Sequence, residues 1–436
     1  MRFLLPTVSA VFSAGPPAHD VTWRLQQCGF LPQMRILRRL GVRHSAGSLP
    51  VPGDVVINKS PSDLCVSKNW RALQFPSGDA PPAFACFRPA VKPPQALPAA
   101  LISPIFAAFL RDAAVSDLGP CSAESEAVAA LVTNMPYAFS READRVMVFN
   151  GIMNKYLGVA MASLQPDASS SSACMDSGVL SSDRDHLLLL QEAKNEMGSA
   201  DPWFQGQRYY QVFWDAPQRR NTPLFTHDAR PALFLELVGP NLRVSAVASL
   251  EANRVVCEPL TPFLPLFALT GQAAYLLRLA ATLRAMRQAV AALADHYKAA
   301  ALRLRDAPPP AASTPRSLPY PLRDRARFVD VAALLPHGGK LLYKATELLP
   351  SGQQRAVCVK FTPRAYPAYV HEAWAGAQLA PQLFACETLP DGATRMVLME
   401  LLAPPEWVCF AEMDLAQRSA IRPFALLALQ VSVGPA

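Results

Sequence analysis

Four consecutive leucines at positions 187–190 lead directly into Gln-Glu-Ala-Lys, and this run constrains the chain more than any other feature. Such an apolar run is typical of a strand that is buried on both faces of a sheet. Because side chains alternate along a strand, Glu192 and Lys194 fall on the same face. The sequence therefore predicts a buried strand over residues 186–194 that ends in an acid and a base.

An isolated acid, Asp176, lies sixteen residues before Glu192. It reaches the same face if its own strand pairs beside the leucine strand. Two carboxylates bind a hard divalent cation through oxygen, and a lysine beside them faces a phosphate or the attacking water. This pattern indicates a metal-dependent phosphodiesterase site. The alternative is a core strand whose charged end emerges into solvent.

Further candidates come from two predicted helices. In READRVMVFNGIMNKYLG, Ser140 is placed to cap the helix, and Glu142 falls in its first turn, where the helix dipole favours acids. In DPWFQGQRYYQVFW, Gln205 and Tyr209 share one helix face at a spacing of four. Such a pair suits contact with a phosphate or a base, and its alternative is ordinary helix packing.

Composition sets broad limits on function. The chain has 436 residues, enough for two or three domains, and a net charge of +7 that is compatible with a phosphate partner. No segment is apolar enough for a membrane span. The nine cysteines show no CxxC, which favours an intracellular setting in the cytoplasm or nucleus. The alternative is secretion, since MRFLLPTVSAVFSAG loosely resembles a signal peptide.

The pattern along the chain predicts five parts. They are an irregular leader (1–95), a globular domain ending in a long helix (96–306), a Pro-rich linker (307–325), a second domain (326–403) and a C-terminal tail (404–436). In the first domain, strands are also expected at 232–239 and 243–250. In the second, strands are expected at 341–348, 355–361, 382–388 and 394–401, with a helix at 367–378.

The second domain carries its own candidate site. Lys360 lies in the β-branched strand AVCVKF, and Glu372 follows in the predicted helix. A buried lysine paired with a helix glutamate holds nucleotide phosphates in kinase-like folds. The alternative is an amphipathic strand with an exposed lysine.

Residues 99–300 resemble the nuclease-like domain of large fungal, mainly basidiomycete, families related to the Crinkler-type nuclease–kinase fusions. The matching segments are SPIFAAFLRD, Glu142 with Arg145, Asp176 before Gly178, EAKNEMG followed by DPWFQGQRYY, and FLELVGPNLRVSAV. The resemblance implies an α/β (α+β) fold of the PD-(D/E)XK, restriction-endonuclease-like type. In that fold, helices flank a mixed sheet.

The same resemblance implies site roles. Asp176, Glu192 and Lys194 would form the metal and phosphate site, with Glu142 as a further ligand of Mg²⁺ and Gln205 in support. The family usually has Gly directly after the Asp, whereas Ser177 intervenes here. Asp167 is therefore a second candidate for the role of Asp176.

The second domain resembles the kinase-like half of the same families, through VKFTPRAY, HEAWAGAQLAPQLFACETL and RMVLMELL. The resemblance implies a partial kinase N-lobe in which Lys360 pairs with Glu372 and Glu400 ends the strand that meets adenine. No GxGxxG precedes Lys360, and no H-R-D or D-F-G follows it. The expectation is an incomplete, truncated kinase domain that binds ATP poorly and transfers no phosphoryl group.

The expected function is a Mg²⁺-dependent nuclease-like protein that acts on DNA or RNA. Two alternatives stand beside it. One is a non-catalytic interaction protein, in which nuclease and kinase-like parts have both decayed. The other is an ATP-binding kinase-like protein, if the natural chain continues into an H-x-D and a D-x-G.

Overall fold

The computed structural model of the chain describes residues 2–4, 84–86, 97–115, 121–165, 174–196, 201–250, 254–267, 273–306, 316–334, 341–363, 365–377, 380–402 and 407–409. The chain divides into two units. The smaller comprises Met1–Val51, Ala377–Ala380 and Ala403–Ala436. In it, strand β1 (Arg2–Leu4) pairs in parallel with strand β15 (Trp407–Cys409). Most of the predicted leader and tail lies outside the described residues.

The larger unit, Pro52–Gly376 with Pro381–Leu402, contains a mixed sheet. Its strands are β2 (Phe84–Cys86), β3 (Ala162–Leu164), β4 (Met175–Leu180), β5 (Leu187–Lys194), β6 (Ala232–Val238), β7 (Asn241–Ser249), β8 (Val255–Pro259) and β9 (Leu264–Pro265). Their spatial order is β2-β8-β7-β6-β5-β4-β3, with β9 beside β7. Pairs β5–β6 and β2–β8 are parallel, and the others are antiparallel.

Strands β5 and β6 form the buried centre of this sheet. Every residue of β6 is buried, and along β5 only Lys194 is partly exposed. This confirms the strand predicted from the leucine run, since a strand covered on both faces has no polar alternation until its end. The predicted hairpin after β6 is also present, and Gly239 in its turn has a φ of 54°, which favours glycine.

Helices flank the large sheet. They are α1 (Ala99–Ile102), α2 (Pro104–Ala114), α3 (Ser122–Asn134), α4 (Glu142–Leu157), α5 (Pro202–Asp215), α6 (Pro217–Arg220), α7 (Pro223–His227) and α8 (Ala273–Asp306). Helices α1 and α2 are separate because Ser103 between them is extended, and its side chain accepts a hydrogen bond from the Ile105 N–H. No helix in the described ranges has the length and apolar character to cross a membrane.

The start of α4 differs from the sequence prediction in one respect. Glu142 and Asp144 lie in its first turn as expected, but Ser140 as the N-cap is wrong. Arg141 holds that position without a side-chain cap, and its guanidinium pairs instead with Asp144 at 2.5 Å. An acid in the first turn provides local stabilisation at this helix start.

A second, antiparallel sheet follows. Its strands are β10 (Phe328–Ala333), β11 (Leu342–Leu348), β12 (Gln354–Thr362), β13 (Leu383–Thr388) and β14 (Arg395–Glu400), in the order β10-β11-β12-β14-β13, and helix α9 (Ala368–Gly376) lies between β12 and β13 in the chain. The sequence predicted all of these except β10. That strand carries a bulge, and Asp330 in it has a φ of 54°, so its side chains do not alternate regularly.

The second half of the predicted Pro-rich linker is packed. Arg316 is 8 % exposed and donates to the carbonyl oxygens of Phe225 and Asp228 at 3.0 and 3.4 Å. Leu322, in the short 3₁₀ helix Tyr320–Arg323, is 1 % exposed. The predicted division into domains stays a prediction. Helices with one mixed and one antiparallel sheet make an α+β fold, which confirms the expected fold class.

Candidate functional site

The acids predicted from the sequence meet where β4 and β5 lie side by side. In this antiparallel pair Ser177 lies opposite Gln191, so one step along the same register places Asp176 opposite Glu192. The Ala193 N–H donates to Asp176 Oδ2 at 2.7 Å. Asp176 and Glu192 therefore share one face of the sheet, because β4 pairs directly beside β5. Asp167 lies outside the described residues.

Lys194 and Glu142 complete this group of charged residues. Glu142 is the first residue of α4, and the Lys194 ammonium donates to Glu142 Oε1 at 3.0 Å. Burial alone would lower the pKa of Lys194, but the hydrogen bond and charge of Glu142, with the two other carboxylates, raise it. Lys194 is therefore a fixed positive charge beside three acids.

Glu192 is the buried acid of the group, at 1 % exposure. Its Oε1 has no hydrogen-bond partner. Burial, and then the negative charge of Asp176, raise its pKa well above the ordinary range. Burial also raises the pKa of Asp176. A buried carboxylate oxygen without a partner costs free energy, so Glu192 lowers the stability of the folded sheet.

Glu236 shows what a structural glutamate looks like at the same level of the sheet. It is the partner of Glu192 in the parallel pair β5–β6, and it is also fully buried. Arg243 binds it through two hydrogen bonds of 2.6 and 2.5 Å, and Ser245 donates a third at 3.3 Å. Glu236 is thus satisfied by protein partners, whereas Glu192 has a buried oxygen without a hydrogen-bond partner.

Helix α5 covers this face of the sheet. Gly206 lies directly against the ring of Phe234, whose side chain is on the same face as Glu236. The Gln205 amide donates to the Tyr209 hydroxyl at 3.3 Å, so the two residues meet as their spacing predicted. Burial, and then the charge of Glu192, raise the pKa of Tyr209 to about 12. The phenol therefore stays protonated near the carboxylates.

Two residues that the sequence did not single out as site residues hold the group in place. The Arg145 guanidinium is 3 % exposed and donates to Asn195 Oδ1 at 3.0 Å. It also donates to the carbonyl oxygens of Met135 and Tyr137, at 3.1 and 3.4 Å. Asn195 in turn donates to the Phe139 carbonyl at 3.0 Å. These bonds fix the start of α4, and with it Glu142, against the end of β5.

Arg145 and Asn195 each lie close in the chain to a predicted site residue. Arg145 follows Glu142 by three positions, and Asn195 follows Lys194 directly. Nothing in either spacing says that the two segments meet, since they lie fifty residues apart in the chain.

The donor chemistry of the group suits a hard divalent cation. Asp176 and Glu192 offer carboxylate oxygens on neighbouring strands, and the Glu192 oxygen without a partner is the kind of atom that a bound ion would satisfy. Glu142 is engaged by Lys194. Within the described ranges, no set of three or more His, Cys, Asp or Glu residues is placed to hold a metal ion. Asp176 and Glu192 are therefore the pair that fits, and Glu142 as a ligand stays a prediction.

The candidate residues of the second sheet are less closely grouped. Lys360, on β12, places its ammonium 5.5 Å from the centre of the Tyr366 ring. Glu372 is exposed on α9, and the buried residue of that helix is His371. His371 bonds to the Tyr366 hydroxyl at 2.6 Å and to the Pro381 carbonyl at 2.7 Å. The Lys360–Glu372 ion pair stays a prediction.

Glu400 ends strand β14, as the sequence predicted. One of its carboxylate oxygens accepts a hydrogen bond from the Gln382 N–H at 3.2 Å. This contact joins the ends of β13 and β14 and gives Glu400 a structural partner. ATP binding at this sheet remains a prediction.

No protein-family model, curated protein or solved structure matches the chain. What the protein does is therefore inferred from the chemistry of the Asp176–Glu192–Lys194 group.

Proposed function

We propose that this chain is a nuclease-like protein that binds a phosphodiester backbone at Asp176, Glu192 and Lys194 with a divalent cation such as Mg²⁺. The contrast between the two buried glutamates carries the proposal. Glu236 has three hydrogen bonds from protein groups, whereas Glu192 lies opposite Asp176 with an oxygen that lacks a partner. An unsatisfied buried acid beside a lysine is typical of a site built for a ligand.

Each residue has a distinct role in this proposal. Asp176 and Glu192 would hold the cation, which supplies charge stabilisation and a more acidic bound water. Lys194 would pair with a phosphate oxygen and offset negative charge as it develops. The Tyr209 hydroxyl, which accepts a hydrogen bond from Gln205, would supply a further polar group near Glu192. Arg145 and Asn195 would hold the start of α4, and with it Glu142, against the end of β5.

The test is a cleavage assay on labelled DNA and RNA with and without Mg²⁺. We expect Glu192→Ala and Lys194→Ala each to reduce the cleavage rate at least about 100-fold, the effect typical of losing one charge-stabilising group. Lys155→Ala is the matched control, since Lys155 is a lysine on α4 whose side chain is 81 % exposed. Cleavage at wild-type rate by both site variants would contradict the proposal.

A non-catalytic role is the second candidate, and the Glu142–Lys194 ion pair favours it. Its 3.0 Å contact neutralises the lysine that would otherwise meet a phosphate. Calorimetric titration of wild-type protein with Mg²⁺ and Mn²⁺ separates the two. Metal binding that Glu192→Ala abolishes supports the nuclease-like site, and the absence of any binding supports the non-catalytic role.

A further inference from the structure

The turn between α3 and α4 is held at the end of β5 by two side chains, Arg145 and Asn195. Arg145 donates to the backbone carbonyls of Met135 and Tyr137 and also to the side chain of Asn195. Asn195 follows Lys194 directly and bonds back to the Phe139 carbonyl of the same turn. The backbone of residues 135–139 is therefore held at the end of β5, next to the lysine.

This turn carries an exposed aromatic side chain. Met135 is fully buried, but Tyr137, two residues later, is 66 % exposed. Pro136 precedes it and restricts the backbone, since proline fixes its own φ. Single exposed aromatics are common on protein surfaces and need no explanation alone. Here the ring stands on a backbone that is anchored beside a candidate phosphate site.

We infer that Tyr137 is a stacking platform for an unpaired base next to the phosphate that Lys194 faces. An aromatic ring next to a positive charge is the combination that binds single-stranded nucleic acid, because any unpaired base offers a flat face to the ring. In a duplex, both faces of each base are already stacked. The site therefore prefers single-stranded DNA or RNA over duplex. This inference rests on the proposed function.

The experiment is fluorescence anisotropy with a labelled single strand of DNA or RNA, in Ca²⁺ instead of Mg²⁺ so that cleavage is slow. Stacking of one base predicts that Tyr137→Ala weakens single-strand binding by about 5- to 150-fold. Tyr137→Phe keeps the ring and retains binding. Tyr369→Ala is the matched control, because Tyr369 is a 75 % exposed tyrosine on α9, beside the second sheet. Its loss should leave binding unchanged.

A strand with abasic positions separates stacking from a general structural effect. The penalty of Tyr137→Ala should disappear on that strand, because no base remains to stack. Equal binding by wild type and Tyr137→Ala on the normal strand, or an equal penalty on both strands, would overturn the inference. If Lys194→Ala loses binding while Tyr137→Ala does not, the proposed function stands and only the stacking role fails. No binding by wild type would overturn both.

Discussion

At the scale of single residues, two glutamates on neighbouring strands differ in what surrounds them. Glu236 has Arg243, whose guanidinium also lies over the rings of Trp203 and Phe263 at 4.7 and 4.4 Å. Glu192 has an unpartnered oxygen, and its nearest charged neighbours include a second acid. Burial in the same sheet is thus compatible with a fully bonded acid on one strand and an acid with an unpartnered oxygen on the neighbouring strand.

This difference predicts opposite effects of one substitution. The folded-state pKa of Glu192 is raised, so wild-type stability falls as pH rises from the unfolded pKa of about 4.3 towards the folded value. Glu192→Gln removes the buried charge, and we expect it to stabilise the protein by on the order of 1–3 kcal/mol at pH 8 and not at all below about pH 4. Urea unfolding at a series of pH values measures this.

Glu236→Gln is the control for that experiment. It breaks a buried bidentate pair and leaves Arg243 without its carboxylate, which costs about 3–5 kcal/mol. A destabilisation of similar size by Glu192→Gln at pH 8 would show that Glu192 is a structural acid as well, and would remove the main support for the proposed site.

At the scale of elements, the packing of α5 on the sheet depends on a glycine. A Cβ at Gly206 would lie closer to the Phe234 ring than real Cβ atoms come, and Phe234 is fully buried and cannot move aside freely. Gln205 and Tyr209 are on the same helix. The close approach of α5 to β6 therefore sets how near these two side chains come to Glu192.

Gly206→Ala should consequently destabilise the protein by about 1–3 kcal/mol, the usual cost of overpacking a dense core. Gly151→Ala is the matched control, because Gly151 is also in a helix, α4, and nothing lies within 4 Å of where its Cβ would be. There the substitution should be neutral or stabilising by up to about 1 kcal/mol, since alanine favours helix. Thermal unfolding of both variants checks this, and an unaltered melting temperature for Gly206→Ala would contradict it.

At the scale of the whole molecule, the larger unit joins both sheets through one apolar core. Buried residues of the first sheet, such as Leu233, belong to the same cluster as Val357 of the second. Leu322 belongs to it too, in the 3₁₀ helix that contacts both α1 and β10. The segment with linker composition thus contributes to the core at its C-terminal end.

A shared core predicts cooperative unfolding. Leu322→Ala should cost about 2–5 kcal/mol and shift one calorimetric transition that includes both sheets. Leu302→Ala, at a residue that is 46 % exposed, should change the transition little. Two separate transitions, of which Leu322→Ala shifts only one, would show instead that the two predicted domains unfold independently.

Many of the helices and strands could be predicted, because the spacing of apolar residues along the chain indicates them. The leucine run, the helix at residues 273–306 and four strands of the second sheet follow from periodicity alone. The errors have local causes as well. The bulge in β10 breaks the alternation, and the helix start at Arg141 uses an ion pair where a serine cap was expected.

The sequence by itself determined that Glu192 and Lys194 share one face of a buried strand, because side chains alternate along any strand. Only the tertiary structure decided that Asp176 lies opposite Glu192 and that Lys194 reaches Glu142. It also decided that Arg243 satisfies Glu236 and leaves Glu192 with an unpartnered oxygen. Each of these contacts joins two segments that are far apart in the chain, and the number of residues between them does not determine how the segments pair. The physical reason is that strand pairing and helix docking are selected by burial of the whole core.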